Sequence, residues 1–300
     1  MRILNLGSLN IDKVYSVSHF VREGETISCA AFNEYSGGKG LNQSVALSRA
    51  GAAVFHAGAV GDDGGVLVKL LSVDGCDTHL VRHYAGQASG HAVIQVSGDG
   101  KNCIIVHGGT NQLISETDID TALQDFSKGD ALLLQNETSN VDYAIRQGKK
   151  RGLSVVFNPS PIKSGMLSYP LNLVDIFILN ETEGKEISGQ SDPQRILHEM
   201  DKRYPGATVV LTLGAAGVIY KSGSEYIERA AFDVPVVDTT AAGDTFAGYF
   251  LAGIAAAYSN ESAIDFASAA SALAIMKSGA AVSIPFKQEV DIFLKQSRKV

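Results

Sequence analysis

Asp238-Thr239-Thr240-Ala241-Ala242-Gly243-Asp244 sets an acid behind a run of small side chains. Residues 232–237 read as a strand, and a helix begins near Gly243. Small side chains let a backbone approach a ligand closely. The first N–H groups of a helix lack internal partners, and the macrodipole makes that end positive. Such a turn suits a phosphate. Asp244, at its mouth, can take a proton from an attacking hydroxyl, and a well-placed base contributes about 10²–10⁴-fold in rate. An aspartate there can equally cap the helix, and locally the two roles look alike.

Three further clusters could meet a polyol or a nucleotide. Gly37-Gly38-Lys39-Gly40-Leu41-Asn42-Gln43 puts glycines before a helix, with Lys39 and Asn42 as hydrogen-bonding groups; a plain glycine turn reads the same way. Gly7-Ser8-Leu9-Asn10-Ile11-Asp12 follows an apolar run. Asn10 and Asp12 alternate, so in an extended segment they share one face and suit vicinal hydroxyls, an Asx turn being the alternative. Asn180-Glu181-Thr182-Glu183 is a capping box by pattern. Asn180 and Glu183 could also hold hydrated magnesium, which favours a few oxygen ligands plus phosphate. Glu137 adds a carboxylate after another apolar run.

These clusters need elements to hold them. Apolar runs at 2–6, 54–57, 131–134, 154–157, 175–179 and 208–211 predict strands. Helical spacing predicts helices at 41–50, 66–71, 139–150, 182–188, 193–203, 243–257 and 262–277. Alternation of this kind implies βαβ units and a mostly parallel sheet covered by helices. Residues 13–36 and 89–107 lack helical periodicity, are rich in Val, Ile, Ser and Thr, and include a turn at Ser97-Gly98-Asp99-Gly100. They predict antiparallel strands outside the main sheet, forming a small lid.

Composition excludes several classes. Of the 300 residues, 45% are hydrophobic and 19% charged, a globular balance far from disorder. A formal charge of −7 argues against a general nucleic-acid binder. Cys29, Cys76 and Cys103 show neither a disulfide framework nor a zinc spacing, which fits a reducing compartment. The opening residues turn polar too soon for a signal peptide, and no apolar run is long enough to span a bilayer, so a cytoplasmic location is expected. P-loop, GxGxxG, protein-kinase and GxSxG patterns are missing. His79 and His83 are four apart but lack helical context and an acidic partner, and a metal site there is not expected.

Taken together, GSxNxD from Gly7, GGKGxNQ from Gly37, NExE from Asn180 and the DTxxAGDTF block from Asp238 resemble the ribokinase, or PfkB-type, family of carbohydrate kinases, in the family's order. The resemblance spans Gly7 to about Pro285. It implies a three-layer α/β/α sandwich with a β lid, clasped in a homodimer. It implies ATP-dependent phosphorylation of a sugar, D-ribose first, with another pentose, a ketohexose or a nucleoside as alternatives. A non-catalytic sugar-binding regulator on the same fold is a further alternative; such a protein could lose the base or the anion turn, and this chain keeps both. By motif position, Asn10, Asp12, Gly38, Lys39, Asn42 and Glu137 match the sugar set, and Ala241, Ala242, Gly243 and Asp244 match the anion hole and base. Asn180 and Glu183 match a phosphate–magnesium motif, and Thr212, Gly214 and Gly217 a nucleotide-contacting stretch. Asp238, Thr240, Ala274, Gly279 and Ser283 match ligands of an activating monovalent cation such as potassium. Relatives outside the ribokinase branch often carry glycine at position 241, and alanine is compatible with that branch.

Overall fold

A computed structural model describes residues 1–297. The first strand, β1 (Ile3–Leu6), leads into β2 (Asn10–Val17) and β3 (Ala31–Gly37), and then into helix α1 (Lys39–Arg49). Next come β4 (Val54–Val60), α2 (Gly65–Val73), β5 (Asp77–His83), β6 (Gly90–Ser97) and β7 (Asn102–His107). A regular βα alternation follows: α3 (Glu116–Ala122), β8 (Ala131–Gln135), α4 (Val141–Lys150), β9 (Ser154–Asn158), β10 (Ile176–Asn180), α5 (Glu181–Ser188), α6 (Pro193–Arg203) and β11 (Thr208–Thr212). The hairpin β12 (Val218–Ser222) and β13 (Glu225–Arg229) precedes α7 (Ala242–Ala255), α8 (Asn260–Ile275) and α9 (Lys287–Ser297).

Nine strands form one sheet in the order β13-β12-β11-β10-β9-β8-β1-β4-β5. It is parallel from β5 to β11, with β12 and β13 added antiparallel at one edge. Alternate side chains of each inner strand serve opposite cores. Leu133, Val156, Ile178 and Val210 pack with α1, α7 and α8, whereas Leu132, Val155, Phe177 and Val209 pack with α4 and α6. Strands buried on both faces read as unbroken apolar runs, which is why they are visible in the sequence. Helices on both faces complete the α/β/α sandwich. From β1 the strand order departs in two directions, through β4 and through β8. The crevice at the carboxyl ends of such a switch point is where open α/β sheets bind ligands.

A second sheet of order β3-β2-β6-β7 rises from that end. Its strands are 10–17, 31–37, 90–97 and 102–107, with 18–30 irregular, so the expected regions are right but only partly strand. The expectation of a purely antiparallel sheet is corrected: β2 and β6 pair in parallel, and only β2–β3 and β6–β7 are antiparallel. The reason is connectivity. β2 continues β1 and β6 continues β5, which run the same way in the main sheet, so their extensions rise side by side.

A second correction concerns residues 232–237, which form no strand. The sheet ends at β13, and Val236 and Val237 stand 62% and 63% exposed. The segment is held instead by Val237 and Asp238 N–H groups donating to the Ile275 carbonyl.

Candidate functional site

Asp244 sits in the first turn of α7, 6% exposed. It caps nothing: the N-cap is Ala241, without a side-chain cap bond. Its carboxylate is instead held from two sides. Asn42 Nδ2 donates to Oδ2 at 3.0 Å and Gln43 Nε2 to Oδ1 at 2.9 Å. Ala241 adopts φ 60°, the left-handed region, which strains a residue with a Cβ by about 1–2 kcal/mol. This bend starts the helix abruptly. The Ala242 N–H turns to the Thr239 carbonyl at 3.2 Å. Those of Gly243 and Asp244 have no partner among the described residues, and so lie available at a positive helix end.

That end opens on a polar cavity of about 220 Å³, lined by Lys39, Asn158, Asn180, Glu183, Thr212 and residues 241–244. The Asp244 carboxylate holds the Lys39 ammonium above its ordinary pKa against the opposing effect of burial, assisted by Glu137 and Glu183. One cation thus faces three carboxylates. Asn180 and Glu183 form the expected capping box of α5: Asn180 Oδ1 accepts from Glu183 N–H at 2.9 Å, and Glu183 Oε2 from Asn180 N–H at 3.0 Å. Capping and cavity lining coexist in this pair. A second, largely apolar cleft of about 160 Å³ shares Thr212, Ala242 and Gly243 with the first. Its other walls include Gly214, Gly217, Phe232, Phe246 and Ile275. Gly217 has φ 106°, and a Cβ there would fall 2.0 Å from the Arg229 carbonyl oxygen, so only glycine fits.

The remaining polar residues gather around the crevice. Gly40 lies so close to the Gly7–Ser8 backbone that a Cβ would meet Ser8 N at 2.3 Å, which seats the Lys39 loop on the end of β1. Glu137 accepts from Lys39 N–H at 3.0 Å and from the Ser8 hydroxyl. Asn10 Oδ1 accepts from Asn111 Nδ2 at 2.7 Å, a buried partner that no motif signalled. Gly37 backs directly onto Asp12. Burial first, and the Glu137 charge second, push the Asp12 carboxyl up to about 6. Gly38 has φ 93°, and the Asn42 Oδ1 is buried without a partner among the described residues.

Of the five residues matched to a cation, Asp238 and Thr240 lie in the loop before α7, Gly279 and Ser283 in the loop after α8, and Ala274 in the last turn of α8. Asp238 Oδ1 accepts from Thr240 N–H and Oγ1–H, and Oδ2 from Gly279 N–H at 2.9 Å. Burial raises the Asp238 pKa, but these hydrogen bonds outweigh it and hold the carboxyl below its usual range. The Ala274 carbonyl accepts from Lys277 N–H, and the buried Ser283 donates to Ala280 O. His79 and His83 lie on β5 and, contrary to expectation, have acidic partners, Asp77 and Asp62 respectively. Among the described residues no His, Cys, Asp or Glu cluster could hold a metal by itself, and no helix is long and apolar enough to cross a membrane.

An acid beside free helix amides, a charged cavity and an adjoining apolar cleft is what transfer of a phosphoryl group requires. Comparison with known proteins agrees. Residues 2–287 match the family described as pfkB family carbohydrate kinase. The ribokinase of Haemophilus influenzae is 36% identical over 301 residues, covering 97% of this chain and 98% of that one. The ribokinase of Cryptococcus neoformans var. grubii, solved in complex with ADP, has 32% identity and a TM-score of 0.85, covering 97% of this chain and 99% of that one. The Arabidopsis thaliana ribokinase complexed with ribose and ATP has 28% identity and a TM-score of 0.89, covering 98% of each. With the motifs of the sequence, the two-sheet fold and this match across nearly the whole length, the chain belongs to the pfkB family of carbohydrate kinases.

Proposed function

We propose that the chain transfers the γ-phosphoryl group of ATP to the terminal hydroxyl of D-ribose, giving ribose 5-phosphate and ADP. The observation that carries this reading is Asp244, buried and pinned by Asn42 and Gln43 beside the free amides of α7. Asp244 orients the acceptor hydroxyl and takes its proton as the new O–P bond forms. The Gly243 and Asp244 amides, with the neighbouring turn from Ala241, hold the migrating phosphoryl group, since donors fixed in advance stabilise charge spread over its oxygens. Lys39 adds positive charge on the same side.

Asn10, Asp12, Gly38, Asn42 and Glu137 bind the sugar. Two carboxylates and two amides on one crevice match vicinal hydroxyls, and the unpartnered Asn42 Oδ1 is an acceptor ready for one of them. The apolar cleft beside Gly214 and Gly217 takes the base of the nucleotide, with Thr212 at the junction. Asn180 and Glu183 suit hydrated magnesium, because both Glu183 oxygens are already engaged and leave room for an outer-sphere role. Magnesium would supply neutralising charge between phosphate oxygens. The Asp238 carboxylate, tied to the Gly279 loop by a hydrogen bond, suits potassium with Thr240, Ala274, Gly279 and Ser283. The four-stranded sheet acts as a lid that excludes water from the crevice. Its exposed Phe32, Ile104, Ile105 and Val106 favour a homodimer through that lid in the cytoplasm, to be checked by sedimentation.

ATP turnover is to be measured across D-ribose, deoxyribose, other pentoses, ketohexoses and nucleosides. Fastest kcat/KM with D-ribose is expected; turnover only of another acceptor sinks the ribose assignment. Asp244→Asn is expected to lower kcat at least about 10²-fold with ribose still bound in calorimetry. An active variant refutes the base.

A further inference from the structure

Behind Asp244 lies a chain of buried amides whose directions are forced. Asn5 Nδ2 donates to the Gly40 carbonyl at 2.8 Å and to Ser44 Oγ at 2.8 Å. A carbonyl only accepts, so Asn5 must face it with nitrogen and keep Oδ1 as an acceptor on the other side. Gln135 Nε2 meets that Oδ1 at 2.9 Å and gives its other hydrogen to Gln43 Oε1 at 2.8 Å. Gln43 is therefore obliged to present Nε2 outward, to Asp244 Oδ1 at 2.9 Å and Asn158 Oδ1 at 3.1 Å. Asn158 is turned independently, by donating Nδ2 to the Ile178 carbonyl at 2.8 Å. Two backbone carbonyls on different elements thus agree on one orientation of Gln43. Asn5, Gln43 and Ser44 are fully buried, so no bulk water competes for these bonds.

We propose that Gln43 is a positioning residue for the phosphoryl transfer. Its amide fixes the plane of the Asp244 carboxylate, so that the oxygen facing the cavity meets the acceptor hydroxyl. Asn42 alone cannot do this. A carboxylate held at one oxygen turns about its Cβ–Cγ bond, whereas one held at both oxygens does not. The role rests on the base function proposed for Asp244. Gln43 is fully buried on the α1 face behind the acid, and its amide atoms are taken up by Asp244, Asn158 and Gln135, so its effect on the reaction passes through Asp244.

The test is Gln43→Met, which keeps length and volume and removes the donor. The expected result is kcat lowered about 10–100-fold, as for small misplacements of a reacting group. The ribose dissociation constant from calorimetry should stay within about threefold of the parent, a split that a general loss of structure does not give. A kcat within about twofold of the parent overturns the assignment. So does a loss carried wholly by weaker ribose binding. If Gln43→Met does not fold, Gln43→Glu preserves the shape. At low pH its carboxyl is protonated and donates to Asp244 as the amide does; as pH rises it ionises and opposes that carboxylate. The ratio of variant to parent kcat should therefore fall as pH rises from about 6 to 9, and a flat ratio overturns the proposal. A parent enzyme silent on D-ribose refutes the substrate assignment instead. The same ratios are then read with the acceptor it does phosphorylate.

Discussion

Replacing Asp12 by asparagine should make the protein more stable and a poorer binder, with a pH signature. Burial and the Glu137 charge lift the Asp12 pKa from 3.8 to about 6. The folded state therefore holds this proton more tightly than the unfolded chain. Below pH 3.8 both states are protonated and no penalty exists. Between there and about 6 the unfolded chain gives up its proton first, and above about 6 the whole penalty of a buried carboxylate is in place. A difference of about two units is worth at most about 3 kcal/mol, at 1.36 kcal/mol per unit. Water reaching a half-buried side chain reduces this to about 1–2 kcal/mol. For 300 residues the unfolding entropy is roughly 0.6 kcal/mol/K, so Asp12→Asn should gain about 2–3 °C at pH 8. The gain should vanish near pH 4. Ribose affinity should meanwhile fall about 10–100-fold at pH 8, from the loss of a charged acceptor. In the parent, ribose affinity should decline as pH drops through about 6. Scanning calorimetry of both proteins at pH 4 and pH 8, with ribose titrations, tests the reasoning. A melting-temperature difference that is absent at pH 8, or equal at both pH values, refutes it.

Arg49 spans α1, the Asp74 carboxylate and the Ala281 and Ile284 carbonyls, largely out of water. Arg49→Met strands a buried charge, so urea unfolding should show a loss of about 3–5 kcal/mol; a loss under about 1 kcal/mol contradicts the burial argument. Asp238→Ala should abolish both potassium activation of turnover and the rise in melting temperature that potassium chloride gives the substrate-free parent. An unchanged response to potassium removes Asp238 from the cation site.

How far the sequence reached depends on burial and on chain distance. β8 to β11 were legible because both faces are buried, which produces runs such as Ala131-Leu132-Leu133-Leu134. β13, Glu225–Arg229, buries only Ile227 and so leaves no such run. Residues 232–237 alternate like a strand, but among the described residues no strand pairs with them beyond β13. The chemistry of Asp244 was legible as a choice between cap and base. Its partner Asn42 lies 202 residues away, and no local pattern records that register. Gln43 and Asn111 escaped for the same reason: an amide's role depends on what faces it.

The small sheet has one more consequence. β2 leaves β1 across Gly7–Leu9, β3 returns to α1 through Gly38, and residues 84–89 and 108 join β6 and β7 to the main body, so any change of its tilt must be taken up at these joints. Asn10, Asp12, Gly38 and Lys39 sit on or next to the first two. Part of the pivot and the proposed sugar contacts therefore coincide. Under the proposed lid role, recognition and closure are coupled at these two joints, so a substitution that stiffens one bears on the other.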